Sequence, residues 1–532
     1  MKQMKFWNVI CAVLWVLLLA VEAVTFYMVF RLHMLPDQYL MLLGGGLLFL
    51  GILMGLLLLP GRNTIGGLRR GIAAFLILVI CVGCAVVSTV LADVYDTMHG
   101  VLGGDPGEEI EKTTRSIYVM ANDPAQTMAD LKGYSFAVVE NFDTANVQQV
   151  IDALAIAHGR TPETKAYATM TDMADALYSG EVKAIIVDEA NLMILEIEEG
   201  YENFRERARL LCQVEIQEQL PPPPTTEPTT PDHTDPTGES PVPTEPEVPT
   251  EPAVTVPVIE KPEDITNTPF LVYVAGSDTR TSTLINKTRN DVNILVVVNP
   301  NTKQILMINT PRDYFVKNPV GNNARDKLSH CGVWGVQNSI DAMSLLYGDR
   351  IDYYAQINFV GFETFIDAIG GVTVYSEKSF TAGGTVHIKK GENNLNGAEA
   401  LAFARERYAL ADGDQGRGNH QMKVIRAVIE KMTSGTTLIT RYADILNSLS
   451  GMFKTNLTME ELGMLVKMQL NDMSSWNIMT YAVSGTGDMQ VCYSAPGQDL
   501  WVMWPDYKMV AHATDLIDRV ISGEILTAED LK

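Results

Sequence analysis

Three apolar runs, residues 7–30, 39–60 and 71–92, crowd the first hundred positions of this 532-residue chain. Each reaches the ~20 residues a helix needs to cross ~30 Å of hydrocarbon, so this part of the chain must fold in lipid. The first run, with Lys2 and Lys5 ahead of it, has the basic start of a secretory signal. It is longer than a usual signal core, has no clear small-x-small cleavage site and is followed by two further spans, so it is read as uncleaved. Lys2, Lys5, Arg62, Arg69 and Arg70 flank one side of the spans, against Arg31 and His33 on the other. That bias predicts a multi-pass cell-membrane anchor over residues 1–98, with the N-terminus cytoplasmic and all that follows the third span outside. Glu22 is the one charged residue inside a span and is expected to reach the outer interface or bond a neighbouring helix. Gly44 to Gly46 and the pair Gly51 and Gly55 permit close helix packing.

The chain as a whole is acidic, with 40 Lys plus Arg against 64 Asp plus Glu and a net charge of −24. A nucleic-acid binder needs basic surface to displace counterions, so that class is excluded. The six cysteines show no zinc-ligand spacing. Residues 108–218 alternate strand-like runs at 116–120, 135–139 and 182–187 with helical ones at 147–158 and 172–177, which predicts a small α/β domain. The strings DLKGYSFAV (130–138) and MADALYSGEVKAIIVD (173–188) resemble parts of periplasmic-type solute-binding domains. The resemblance carries no fixed ligand residues, and a spacer without ligand remains open. Residues 219–265 hold 14 of the 25 prolines between positions 221 and 262, interleaved with Thr, Glu and Asp. Such a stretch has no apolar residues for a core and is expected to be a disordered, extended stalk.

Residues 266–525 hold the chemistry. A strand at 270–275 empties into GSDTR (276–280), and RND (289–291) opens a strand at 292–298. A turn at NPNT (299–302) returns the chain as 304–309, which ends in TPRD (310–313). That is a hairpin by turn chemistry, and it would place Arg289, Asp291 and Arg312 at one open end. A second concentration is RER (405–407), DGD (412–414) and Gly416, Arg417, His420 and Gln421. On a continuous helix Arg405 and Arg407 would face different sides, so the helix over 396–404 is expected to end near Arg405. A second helix from about Gly416 to Met432 would carry Arg417 and Gln421 on one face, with its N-terminus a ready anion site. Arginine forks match phosphate oxygens bidentately, and carboxylates with phosphate oxygens are the usual Mg²⁺ environment. Asp278, Asp291 and Asp414 beside Arg280, Arg289, Arg312, Arg405, Arg407 and Arg417 therefore describe a pyrophosphate site with a divalent cation, Mg²⁺ or Mn²⁺.

The order of GSDTR, RND, PRD (311–313), KLSH (327–330), NFVGF (358–362), DAIGGV (367–372), LNGAEA (395–400), ARER (404–407) and DQGR (414–417) resembles the LytR-CpsA-Psr family. The likeness implies an α/β domain with a central sheet flanked by helices and a hydrophobic tunnel for a lipid tail. It implies a membrane-anchored extracellular enzyme of Gram-positive bacteria, moving a glycopolymer of teichoic-acid or capsular type from a polyprenyl pyrophosphate carrier to peptidoglycan in a Mg²⁺-dependent phosphotransfer. Together with the residue chemistry, it assigns Asp278 and Asp291 to the metal. Arg280, Arg289, Arg312, Arg405, Arg407, Arg417 and Gln421 fall to the pyrophosphate, and Asp291 or Asp414 to the acceptor proton. Asp313 and Lys327 read as orienting groups and His330 as structural, while the Phe and Ile residues of 359–369 are tunnel or core. The chain departs from the family where His420 replaces an arginine, where Cys331 replaces a common alanine, and in its three-span anchor and extra α/β domain. Two other readings share the motifs: a pyrophosphatase with water as acceptor, and a non-enzymatic envelope sensor. Cys331 and Cys492, placed outside, are expected to be able to pair as a disulfide.

Overall fold

The computed structural model describes residues 2–32, 35–59, 64–102, 114–140, 144–216 without 197 and 199, 261–277, 284, 287–407, 413–434 and 441–532 without 442–443, 446–447 and 449–450. Residues 219–260 of the stalk and the residues Asp278 and Arg280 lie outside them.

The three apolar runs form the helices Lys2–Arg31, Asp37–Leu58 and Thr64–Val101. Within them Trp7–Arg31, Asp37–Leu58 and Gly67–Asp93 are long and apolar enough to cross a membrane. Small residues let the first two approach closely. Gly44 faces the Phe26 ring, Gly51 faces Leu19 and Glu22, and Gly55 faces the Trp15 indole, whose Nε1 donates to the Gly51 carbonyl at 2.9 Å. Glu22 is buried against Gly51 of the second helix. Thr25 Oγ1 lies 3.0 Å from Ser88 Oγ and ties the first helix to the third.

Residues 114–216 form a five-stranded sheet in the order Glu163–Tyr167, Ser135–Val139, Ala184–Val187, Thr114–Met120, Ala208–Glu215. Alternate residues feed two apolar layers. Ile117, Val119 and Phe136 meet helix Thr144–His158, while Tyr118, Ala137 and Ile185 meet helices Met170–Ser179 and Glu189–Leu195. The two edge strands, ETKAY and ARLLCQVE, escaped the sequence reading because each is only partly buried and neither carries a continuous apolar run. The second apolar layer continues onto Phe315, Val333, Leu500 and Val502, so this domain and the one after the stalk share a core.

The domain after the stalk is built on a six-stranded mixed sheet, ordered Phe453–Thr455, Tyr353–Asn358, Phe270–Ser277, Asn290–Asn299, Gln304–Asn309, Asn477–Ala482. The expected hairpin is its centre, with Val298 opposite Ile305 and Asn299 opposite Gln304. Its turn is held by Asn299 Oδ1, which accepts from the amides of Asn301 and Thr302 at 3.0 and 3.2 Å. Leu295, Val297, Leu306 and Ile308 face helices Val336–Tyr347 and Tyr507–Ile521. Ile294, Val296, Ile305 and Met307 face Met422 and Ile425 of helix Gly413–Thr433. Outside that helix, Phe359–Ala368 and Gly397–Arg405 complete a second layer.

Cys331 and Cys492 are free thiols, against the expected disulfide. Cys331 packs into the core under the central sheet, and Cys492 into the apolar layer shared with the 114–216 domain. Burial first, and then the Asp326 carboxylate to which it donates, push the Cys492 thiol far above its ordinary value, so it is held protonated.

Candidate active site

A cavity of about 800 Å³ opens between the sheet and the helices Phe359–Ala368, Gly397–Arg405 and Gly413–Thr433. Asp291 enters it from the start of strand Asn290–Asn299, and Arg312 from just past strand Gln304–Asn309, because the hairpin returns the chain to its open end. Arg312 Nη1 donates to Asp291 Oδ1 at 2.9 Å. Behind it, the Asp313 carboxylate forms ion pairs with Arg312 Nε and Lys327 Nζ, each at 3.5 Å, which gives Asp313 and Lys327 an orienting place. Burial alone would raise the Asp291 carboxyl. The charges of Arg312, Arg289 and Arg417 and the Arg312 hydrogen bond outweigh it and hold the group below the usual aspartate value. Arg289 does not line the cavity and acts on it through this field.

Helix Gly397–Arg405 begins on a reciprocal cap between Asn396 and Glu399 and ends at Arg405. Glu406 is extended, at φ −63° and ψ 129°, so the chain leaves the helix between the two arginines. Arg405 and Arg407 consequently both line the cavity, as the alternation required. The buried Glu406 accepts the amides of Gly383 and Arg407 at 2.9 and 3.0 Å. Arg405 lies over the Phe359 ring, 4.5 Å from its centroid, a cation–π contact that aims the guanidinium along the cavity wall. Helix Gly413–Thr433 starts three residues earlier than expected and presents Arg417 and Gln421, one turn apart, to the same space. Gly418 faces away from it, and any larger residue there would strike the Asn309 side chain.

Most of the remaining lining is apolar, though Asn358 and Glu363 also belong to it. Val274, Val292, Ile357, Phe359, Phe362, Leu401, Val424 and Ile425 line it, so the arginines share one cavity with a long apolar wall. Of 359–369, Phe359 and Phe362 reach the cavity, while Ile366 and Ile369 are buried core. Val292, Leu401, Val424 and Ile425 were missed, since apolar residues of a wall and of a core look alike in sequence. His420 is not a phosphate ligand. It stacks on Phe403 at 4.1 Å and on Phe380 at 5.4 Å, and burial lowers its pKa, so it is a neutral core ring. His330 is structural, its Nδ1 2.8 Å from Ser494 Oγ and 3.2 Å from Asp326 Oδ1. Asp278, Arg280 and the Asp414 side chain lie outside the described residues. Among the described residues no group of three or more His, Cys, Asp or Glu gathers to cage a metal. One ionised carboxylate, Asp291, in a cavity lined by four arginines fits Mg²⁺, which binds through one or two carboxylates plus substrate oxygens.

Residues 243–506 match the LytR_cpsA_psr family. A polyisoprenyl-teichoic acid–peptidoglycan teichoic acid transferase, TagU of Enterococcus faecalis, is 31% identical over 224 residues, 42% of this chain and 72% of that protein. The chain belongs to the LytR_cpsA_psr family. The TagU of Bacillus licheniformis is 36% identical over 195 residues, 36% of this chain; the match spans 62% of that relative's own length. The crystal structure of B. subtilis TagU is similar with 27% identity over 49% of this chain and 100% of that one, at a TM-score of 0.39.

Proposed function

We propose that this chain is a membrane-anchored phosphotransferase that moves a glycopolymer of teichoic-acid type from a polyprenyl pyrophosphate carrier to peptidoglycan, with the cavity on the outer side of the membrane. The observation that carries the reading is one cavity lined both by Asp291, Arg312, Arg405, Arg407 and Arg417 and by a larger set of apolar side chains. A lipid pyrophosphate has that same division of charge and grease. Relatives named as teichoic acid transferases support the choice of reaction.

In this reading the four arginines and Gln421 take the pyrophosphate oxygens, with Arg289 and Arg280 adding positive field. Asp291, with Asp278, holds Mg²⁺, which when bound neutralises charge on the pyrophosphate. An acceptor sugar hydroxyl attacks the phosphorus that carries the glycan. The bridging P–O bond breaks, polyprenyl phosphate leaves, and the hydroxyl proton passes to a carboxylate. Asp291 is held ionised, which suits a cation, and the proton acceptor is Asp291 or Asp414. Catalysis is then positioning and charge stabilisation. Product analysis with Mg²⁺, a short lipid-pyrophosphate glycan and peptidoglycan oligomers tests it. A phosphodiester-linked product supports transfer, free glycan phosphate alone supports the pyrophosphatase, and tight lipid binding without turnover supports the sensor.

A further inference from the structure

The strand that carries Asp291 is irregular at that residue. Gly276 pairs with Val292 and Ser277 pairs with Asn290, so Asp291 is the extra residue of a β-bulge. In a regular strand consecutive side chains face opposite sides. Here Asn290 and Asn293 both turn to the Ser339 and Tyr273 side while Asp291 and Val292 between them line the cavity, a break in alternation that the bulge accounts for. A bulge re-aims a side chain and leaves backbone groups without ladder partners, so something must hold it.

That role falls to Asn290, which is fully buried. Its Nδ2 donates to Ser339 Oγ at 3.1 Å and to Tyr273 Oη at 3.4 Å, and its Oδ1 accepts from Gln356 Nε2 at 3.3 Å. One amide thus joins two neighbouring strands and helix Val336–Tyr347. The carbonyl of Asn290 is taken by Asn293 Nδ2 at 2.9 Å, and Tyr273 closes the set by donating to Asn293 Oδ1 at 2.6 Å. Gly332 leaves room for it, since a Cβ there would meet the Asn290 side chain at 2.7 Å. A network satisfied on every side is rigid, and an apolar replacement would take from Gln356 the buried oxygen to which it donates.

We infer that Asn290 is a positioning residue that locks the bulge and so fixes where Asp291 points, without touching substrate itself. This rests on the pyrophosphate reading of the cavity. The test is a double-mutant cycle on full-length protein in lipid nanodiscs, with Mg²⁺ and inorganic pyrophosphate as the probe. Asn290→Ala is expected to weaken binding roughly tenfold when Asp291 is present and less than twofold in an Asp291→Ala background, because residues acting through one another are not additive. With the lipid-pyrophosphate glycan, kcat should fall on the order of 10- to 100-fold while KM moves little. Asn290→Ser, which keeps a small polar group, should recover part of both losses and guards against a fold that fails with alanine. Equal losses in both backgrounds, or none in either, would overturn the inference. Wild-type protein that binds pyrophosphate but transfers nothing sinks the transferase while the cycle still decides the role of Asn290; no pyrophosphate binding at all overturns both.

Discussion

At Asp291 burial and the arginine charges pull the carboxyl in opposite directions, and the charges win. A group whose folded pKa is depressed contributes its charge-dependent stability above the unfolded value and loses it as pH falls through the folded one. Activity that needs this carboxylate should therefore hold level from neutral pH down to the ordinary carboxylate range and fail only below it. Replacing Arg312 with alanine removes the first-ranked opposing charge and should move that acidic limb to higher pH in a kcat/KM profile. Arg405→Ala removes a guanidinium from the cavity and should cost about 100-fold in kcat/KM, ~3 kcal/mol. His420→Ala predicts the converse pattern, a loss of about 2 kcal/mol in unfolding free energy with pyrophosphate affinity unchanged, because the ring packs on Phe403 and Phe380. Charge and spacing made the arginines legible in the sequence. The same signals left His420 undecided, since a motif position does not say whether a ring faces phosphate or core. Nothing in the sequence marks Asn290, whose role depends on a bulge that only the pairing register reveals.

Elements were legible where local chemistry decides them. The turn at Asn299 fixed the central hairpin, and the incompatible faces of Arg405 and Arg407 fixed the end of their helix. Edge strands with mixed polarity were not, because pairing rather than composition defines them. The long helix Gly413–Thr433 owes its distance from the sheet to Gly418, which abuts Asn309. Gly418→Ala should lower stability by about 1–3 kcal/mol through overpacking and also weaken pyrophosphate binding, because the helix carries Arg417 and Gln421. Calorimetric unfolding beside pyrophosphate titration separates these two effects; a stable variant with unchanged binding would show that the helix has slack.

For the whole molecule, the membrane helices were plain from hydropathy, whereas the shared core between the 114–216 domain and the domain after the stalk was not. Its residues, Phe315, Leu500 and Val502 on one side and Leu192 and Phe204 on the other, are far apart in sequence and read as ordinary core. Cys492 belongs to that layer as a thiol. Alkylation without reductant should label Cys331 and Cys492 only after unfolding, and intact mass should then show both modified; a loss of two protons with neither labelled would mean a disulfide. The account as a whole depends on one cavity in which the arginines share a long apolar wall, and product analysis of the transfer reaction tests that most directly. Mass spectrometry should find a phosphodiester-linked glycan on peptidoglycan oligomers with wild-type protein and Mg²⁺, and none with Asp291→Ala or Arg405→Ala. The same yield from all three proteins would contradict it.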